Sequence, residues 1–165
     1  MADMEAFVAM EQDPEVRRYV GGNPRTREEA ERRFLNSIEK PAASKLSMWA
    51  TIYKAENKYI GRCGIYPHFD NDGNPISGEA SLGSYIASPY WGNGFATEAG
   101  EAFIAFGFNE LNINRIVTTI QVGNDASVRV IEKLGFELVW SETGGPRGFL
   151  HYSLQNPASS FLKQE

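Results

Sequence analysis

The sequence predicts a mixed α/β fold in which helices flank a central, mostly antiparallel β-sheet. Three observations support this class: helical periodicity in the first 40 residues, strand-length apolar runs from Leu46 to Ala87, and alternating helical and extended segments after Gly94. A chain of 165 residues has the usual length of one domain. We therefore expect a single domain over residues 1–165.

The first third of the chain is predicted to be helical. The first helix spans Met4–Gln12, and Asp13 followed by Pro14 is typical of an N-cap and the first position of a second helix. Thr26 and Glu29 have the spacing of a capping box, which predicts the start of a third helix. The apolar residues of this helix recur at helical spacing: Ala30, Phe34, Leu35 and Ile38.

Strand signals follow this helical region. Residues 46–53 and 58–66 are short runs of β-branched and aromatic residues on either side of a turn, so they predict a hairpin. Residues 67–78 are rich in Gly, Asn, Asp and Pro and are predicted to form a loop. A strand over residues 79–87 is expected next.

The second half of the chain alternates between the two periodicities. After a turn that ends at Gly94, apolar residues at helical spacing predict a long amphipathic helix over residues 96–111. The remaining predicted elements are a strand over 115–122, a helix over 126–134 that Gly135 closes, and two strands near 136–141 and 149–154.

Composition restricts the class of partner. The net charge of -5 argues against a nucleic-acid partner and fits a cationic substrate such as an amine. No apolar run has the length of a membrane span, and no basic N-terminus precedes an apolar signal segment. We therefore expect a cytoplasmic protein that does not bind a membrane.

The single cysteine, Cys63, lies in a short apolar stretch, where it is expected to pack as a small core residue and not to act as a nucleophile. One cysteine and two histidines, all far apart in the sequence, have no metal-ligand spacing. No metal is therefore expected.

A glycine-containing turn between a strand and a long helix is the first segment that indicates chemistry. Gly92 and Gly94 allow backbone N–H groups to converge near a helix N-terminus, where an anion such as a pyrophosphate binds well. A P-loop would need Lys-Ser/Thr where Phe95 and Ala96 stand, and a dinucleotide fingerprint would need glycine at Thr97. A tight turn without a ligand is the alternative.

The second segment runs from Asn124, an expected helix cap, through Ser127 to the Gly135 stop. Together the two segments resemble the GNAT superfamily of N-acetyltransferases: residues 91–99 are similar to its acetyl-CoA pyrophosphate loop, and residues 124–136 to its later motif. Residues 13–22 and 106–116 are similar to the RimJ/RimL branch, which contains ribosomal-protein N-terminal acetyltransferases. The resemblance covers nearly the whole chain.

This resemblance implies a central sheet with a splayed strand pair that holds acetyl-CoA, the cosubstrate. The exposed backbone of Tyr85, Ile86 and Ala87 would pair with the pantetheine arm. The pyrophosphate would be held by the segment Trp91, Gly92, Asn93, Gly94, Phe95, Ala96 and Thr97, and Asn124 would reach the cofactor or the thioester. The implied reaction is acetyl transfer to a primary amine, either a protein N-terminus or a small molecule, by direct attack in a ternary complex.

The resemblance also implies the catalytic groups. Many members have a tyrosine proton donor seven residues after the motif asparagine, where this chain has Ile131, and in RimJ/RimL-like enzymes a serine at the position of Ser127 is thought to serve instead. Glu79 is our candidate for the general base. Relatives often have an acidic residue near the position of Ser81, so this departure leaves the base open.

A second departure concerns the N-terminus, because relatives usually begin with a strand that this chain does not show. A sheet without that edge strand can pair with a second copy of the chain, so a homodimer is an alternative to the monomer. A non-catalytic acyl-CoA-binding or sensing module is the alternative to the enzyme.

Overall fold

A computed structural model describes residues 3–39, 45–142 and 147–159. Three helices come first, three strands follow, and helices and strands alternate only from α4 to β5: α1 (Met4–Gln12), α2 (Pro14–Arg17), α3 (Arg27–Glu39), β1 (Ser47–Tyr53), β2 (Lys58–Phe69), β3 (Pro75–Ile86), α4 (Phe95–Asn109), β4 (Arg115–Gln121), α5 (Asp125–Lys133), β5 (Glu137–Glu142) and β6 (Phe149–Gln155). A 3₁₀ turn, Ser88–Tyr90, follows β3.

The described strands form one six-stranded sheet in the order β1-β2-β3-β4-β6-β5. Only the β3–β4 pair is parallel, and every other neighbouring pair in this sheet is antiparallel. The predicted fold class, a mostly antiparallel mixed sheet flanked by helices, is confirmed. β1 is an edge strand, and half of the Trp49 side chain is exposed on it; the homodimer stays a prediction.

The two helical layers are held by different apolar clusters. On one face of the sheet, side chains of α4 and α5 pack on a core that includes Ile65, Leu82 and Ile116. On the other face, α1 and α3 pack on β2 and the end of β3 through Phe7 and Tyr59. The second cluster contains no residue of β4, β5 or β6.

The predicted helix starts are confirmed by their caps. The Asp13 carboxylate accepts a hydrogen bond from the Glu15 N–H at 2.8 Å. Thr26 and Glu29 bond each other's N–H groups reciprocally, at 2.9 and 3.2 Å, as a capping box does. The predicted apolar face of α3 is wrong at its C-terminal end: Ala30 and Phe34 are buried, whereas Leu35 and Ile38 are exposed.

The predicted loop over residues 67–78 is wrong at both ends. β2 continues to Phe69 and β3 begins at Pro75, so that residues 70–74 alone form the turn. The Asp70 carboxylate accepts N–H bonds from Asp72 and Asn74, at 3.0 and 2.8 Å, and thereby closes the turn. Turn-forming residues dominate the composition of this segment, yet Pro67 lies within β2. The start of β1, at Ser47, pairs with Ile65, so Pro67 lies beyond the β1–β2 pairing and its missing N–H costs no hydrogen bond to β1.

A buried carboxylate joins the N-terminal helices to the sheet. The Glu11 side chain is 3% exposed and faces three guanidinium groups: Arg17 at 3.4 Å, Arg25 at 2.8 Å and Arg62 at 2.9 Å. The Arg62 guanidinium also lies over the rings of Phe7 and Tyr85, 5.2 and 4.9 Å from their centroids. We call Glu11 and these arginines the Glu11 cluster.

Candidate active site

The parallel strands β3 and β4 separate along their length. They pair from Glu79 with Arg115 to Ser81 with Val117, and no pair continues beyond Ser81. At the point of separation the Thr118 hydroxyl donates to the Leu82 carbonyl at 3.1 Å, where a main-chain bond would otherwise form. A V-shaped opening therefore runs along β3 from Leu82 onward. It corresponds to the splayed strand pair that the family resemblance implied.

The backbone of β3 presents an edge without a partner strand to this opening. The Ala87 N–H donates to the Ile60 carbonyl at 2.8 Å, on the β2 side, and the Ala87 carbonyl accepts from the Tyr90 N–H at 2.9 Å. Because antiparallel residues alternate between the two edges of a strand, Tyr85 also faces β2, whereas Ser84 and Ile86 direct their backbone groups into the opening. Of the predicted residues Tyr85, Ile86 and Ala87, only Ile86 directs its main-chain groups into the opening. Ser84 does so as well and was not among the predicted residues.

The glycine turn after β3 is open on its outer side. Gly92 and Gly94 have φ of 78° and 83°, and a Cβ on either residue would have no neighbour within 4 Å. Gly94 is the N-cap of α4 and supplies no side-chain cap, so the N–H groups of the first turn, at Phe95, Ala96 and Thr97, are left for a ligand. These residues fit an anionic group such as a pyrophosphate.

Side chains around the turn fix its position. The Phe95 ring packs against Tyr53, with centroids 5.1 Å apart. The Asn93 side-chain amide donates to the carbonyls of Tyr90 and Trp91, each at 3.1 Å. The Trp91 indole N–H donates to the Ile86 carbonyl at 2.6 Å, although half of its side chain is exposed. Phe95, Asn93 and Trp91 thus shape the turn with their side chains, while its N–H groups stay open.

Asn124 and Ser127 lie at the start of α5, directly after β4. The Asn124 side-chain oxygen accepts from the Ser127 N–H at 3.3 Å, so Asn124 is the N-cap that the sequence predicted. The Ser127 hydroxyl has no hydrogen bond to any described residue and is half-buried. The serine therefore has a hydroxyl that is available for a ligand at the start of α5.

Glu79 lies inside β3 and not at its start. Its Oε2 atom accepts a hydrogen bond from Arg115 at 2.7 Å and lies 4.0 Å from His68 Nε2. His68 Nδ1 is 3.1 Å from the Ser81 hydroxyl oxygen. The structure therefore brings the candidate base next to His68 and Ser81, a contact that the sequence did not indicate.

A segment after α2 lies against the β4–α5 turn. A Cβ on Gly123, in the β4–α5 turn, would lie 3.8 Å from the Tyr19 hydroxyl. A Cβ on Gly22 would lie 3.1 Å from the Arg147 guanidinium. Residues 19–22 thus reach from the α1–α3 layer toward the far side of the V-shaped opening.

Cys63 is fully buried in the core, as expected. Burial raises the pKa of its thiol to about 11, so almost none is thiolate at neutral pH. We expect no reaction of the native protein with Ellman's reagent over minutes, and one equivalent of reaction after unfolding in urea. Rapid labelling of the native protein would contradict this burial.

Residues 3–39, 45–142 and 147–159 contain no group of three or more His, Cys, Asp or Glu residues that could hold a metal ion. No helix in this part of the chain is long and apolar enough to cross a membrane.

Comparison with known proteins gives the family. The family model described as "Acetyltransferase (GNAT) domain" matches residues 1–137. The chain is 32% identical over 123 residues to the uncharacterized protein YkkB of Bacillus subtilis, across 74% of this chain and 69% of that protein. It is 28% identical over 138 residues to the uncharacterized N-acetyltransferase p20 of Bacillus licheniformis, across 83% of this chain and 75% of that protein.

A solved structure gives the same fold. The spermidine N-acetyltransferase from Vibrio cholerae, in complex with CoA and spermine, superposes with a TM-score of 0.74 at 18% identity, covering 98% of this chain and 93% of that one. This likeness concerns the fold, whereas the family match spans most of the sequence. The chain therefore belongs to the GNAT acetyltransferase family and is an acetyltransferase.

Proposed function

We propose that residues 1–165 form one domain that transfers an acetyl group from acetyl-CoA to a primary amine by direct attack in a ternary complex. Acetyl-CoA is the acetyl donor of this family. The observation that carries the proposal is the V-shaped opening between β3 and β4, which leads along a free backbone edge to the uncapped start of α4. This shape suits a long ligand with amide groups at one end and a pyrophosphate at the other.

The cosubstrate would be held mainly by main-chain groups. The backbone of Ser84 and the N–H of Ile86 would bond the pantetheine amides, as an added strand does. The N–H groups of the turn from Gly92 to Thr97 would bond the pyrophosphate, where the dipole of α4 adds positive potential. Trp91 and Asn93 act on this site by fixing its shape.

The chemical step needs a neutral amine and a proton for the departing thiolate. The Ser127 hydroxyl is our candidate for the proton donor, because it is half-buried in the first turn of α5, directly after β4, and makes no hydrogen bond to a described residue. Asn124 positions it by capping the same helix turn at 3.3 Å.

Ser127→Ala is expected to lower kcat about 100-fold, in the range that loss of a general acid gives. The acetyl-CoA dissociation constant should stay within about twofold, because the cap depends on the Ser127 backbone. The measurement is thiol release under saturating substrates, together with calorimetric titration of acetyl-CoA. Ser37→Ala is the matched control, since it removes a serine hydroxyl from another helix, α3. The Ser37 hydroxyl donates to the Phe34 carbonyl. An unchanged kcat in Ser127→Ala would exclude Ser127 as the donor.

The acceptor is proposed to be the amine of a protein N-terminus or of a small molecule. Residues 13–22 and 106–116 resemble the RimJ/RimL branch and favour an N-terminal amine, whereas the similar Vibrio cholerae fold binds spermine. A panel of N-terminal peptides, polyamines and single amino acids, assayed for thiol release, separates these classes. Tight acetyl-CoA binding without turnover of any amine would contradict the proposed transfer.

A further inference from the structure

The closed end of the V-shaped opening carries a chain of polar side chains. Ser81 is the last β3 residue that pairs with β4. Its hydroxyl oxygen is 3.1 Å from His68 Nδ1, and His68 Nε2 is 4.0 Å from Glu79 Oε2. Arg115 donates to that same Glu79 oxygen at 2.7 Å. We call these residues the Ser81 relay.

The relay lies on the sheet face opposite α4 and α5. Ala80 and Leu82 are buried in the core below those helices. Alternation along β3 therefore places Ser81 and Glu79 on the other face. The apolar cluster of α1 and α3 on that face contains no β4 residue, and Ser81 is only partly buried, so an acceptor amine can approach Ser81 there.

We propose that Ser81 is a catalytic residue that contacts the acceptor amine and passes its proton to His68, with Glu79 and Arg115 as positioning residues. This inference rests on the proposed function and names the base that the sequence left open. Ser81 lies where the two strands part, which is where the thioester end of a ligand in the opening would stand.

The hydrogen-bond directions fit this role. With neutral His68 protonated on Nε2, Nδ1 accepts from the Ser81 hydroxyl and the Nε2 proton faces Glu79. Glu79 Oε2 already accepts from Arg115 and therefore serves as a fixed negative charge beside the ring. The charged groups that face His68 are thus Glu79 from β3 and, behind it, Arg115 from β4.

The proton balance of the step is closed. The ammonium group of the acceptor gives one proton to Ser81 Oγ as the Ser81 hydroxyl proton moves to His68 Nδ1. The neutral amine attacks the thioester carbonyl carbon and the C–S bond breaks. The Ser127 hydroxyl gives its proton to the departing thiolate, and the second proton that the nitrogen loses as the amide forms returns to Ser127 through solvent. The His68 side chain is 31% exposed, so its added proton can pass to water before the next turnover.

The test is the pH dependence of kcat/KM for a peptide α-amine in Ser81→Ala and His68→Gln. Each variant is expected to lose about 100-fold at pH 7, where the amine is mostly protonated. The loss should shrink toward wild type near pH ~9.5, because an α-amine with a pKa of about 8 is then already neutral. A purely structural defect would not be repaired by pH.

His151→Gln is the matched control, because it changes the other histidine of the chain and should leave the pH profile unchanged. Acetyl-CoA titrations of all variants should match wild type. A pH-independent loss, or no loss, in the relay variants overturns the relay while the proposed function stands. Failure of wild type to bind acetyl-CoA overturns the proposed function, and the relay with it.

Discussion

Replacement of Gly94 by glutamate is expected to weaken acetyl-CoA binding by at least ~100-fold, which is about 2.7 kcal/mol at 25 °C. Gly94 is the N-cap of α4 and has φ of 83°. A side chain there enters the open space where the pyrophosphate would bind, and a carboxylate would occupy the N–H groups itself. Calorimetric titration of acetyl-CoA into wild type and variant measures the effect.

Gly73→Glu is the control for this prediction. Gly73 has φ of 82°, and a Cβ there also has no neighbour within 4 Å. The substitution therefore adds the same charge and a similar backbone strain, but in the β2–β3 turn. It should bind acetyl-CoA like wild type and unfold at a temperature close to that of Gly94→Glu. Equal affinity in both variants would show that the glycine turn is only a structural connection.

Glu11→Ala is expected to lower the free energy of unfolding by about 3–5 kcal/mol, the usual cost of removing one partner from a buried ion pair. The three guanidinium groups of the Glu11 cluster would lose their shared carboxylate, and the Arg17 side chain is only 5% exposed. Because a domain of this kind is marginally stable, such a loss is a large part of the total. Urea denaturation followed by circular dichroism measures it.

The comparison uses two further variants. Glu15→Ala removes an exposed carboxylate 3.7 Å from Arg18 and should change stability by less than about 0.5 kcal/mol. Glu11→Gln keeps the volume and one acceptor oxygen, and is expected to fall between wild type and Glu11→Ala. A loss below about 1 kcal/mol in Glu11→Ala would mean that the arginines find water or other acceptors.

The sequence predicted those features that depend on local patterns. The capping box at Thr26, the glycine turn at Gly94 and the cap at Asn124 each involve residues a few positions apart, and all three are present. Strand pairing is not local, and the ends of β2 and β3 were predicted wrongly for that reason. Composition placed residues 67–78 in one loop, because their turn-forming residues hide the two strand ends on either side.

The same error concealed the histidine of the proposed relay. With His68 assigned to a loop, nothing in the sequence placed it beside Ser81, which is 13 residues away. The hairpin register brings the two together once the turn is confined to residues 70–74. Ser84 was not predicted to face the opening for a related reason. Whether a β3 residue directs its main-chain groups toward β2 or into the opening depends on its pairing with β2. The register of β2 and β3 is needed to assign it.

The two side-chain bonds along the opening have a consequence for the ligand-free protein. A strand edge with unpaired carbonyls can pair with a strand of another chain and so promotes aggregation. The Thr118 hydroxyl and the Trp91 indole already satisfy the carbonyls at Leu82 and Ile86, on either side of Ser84. When the cosubstrate is scarce, the groove therefore remains a poor template for a foreign β-strand, and the gap between β3 and β4 does not have to close to be stable.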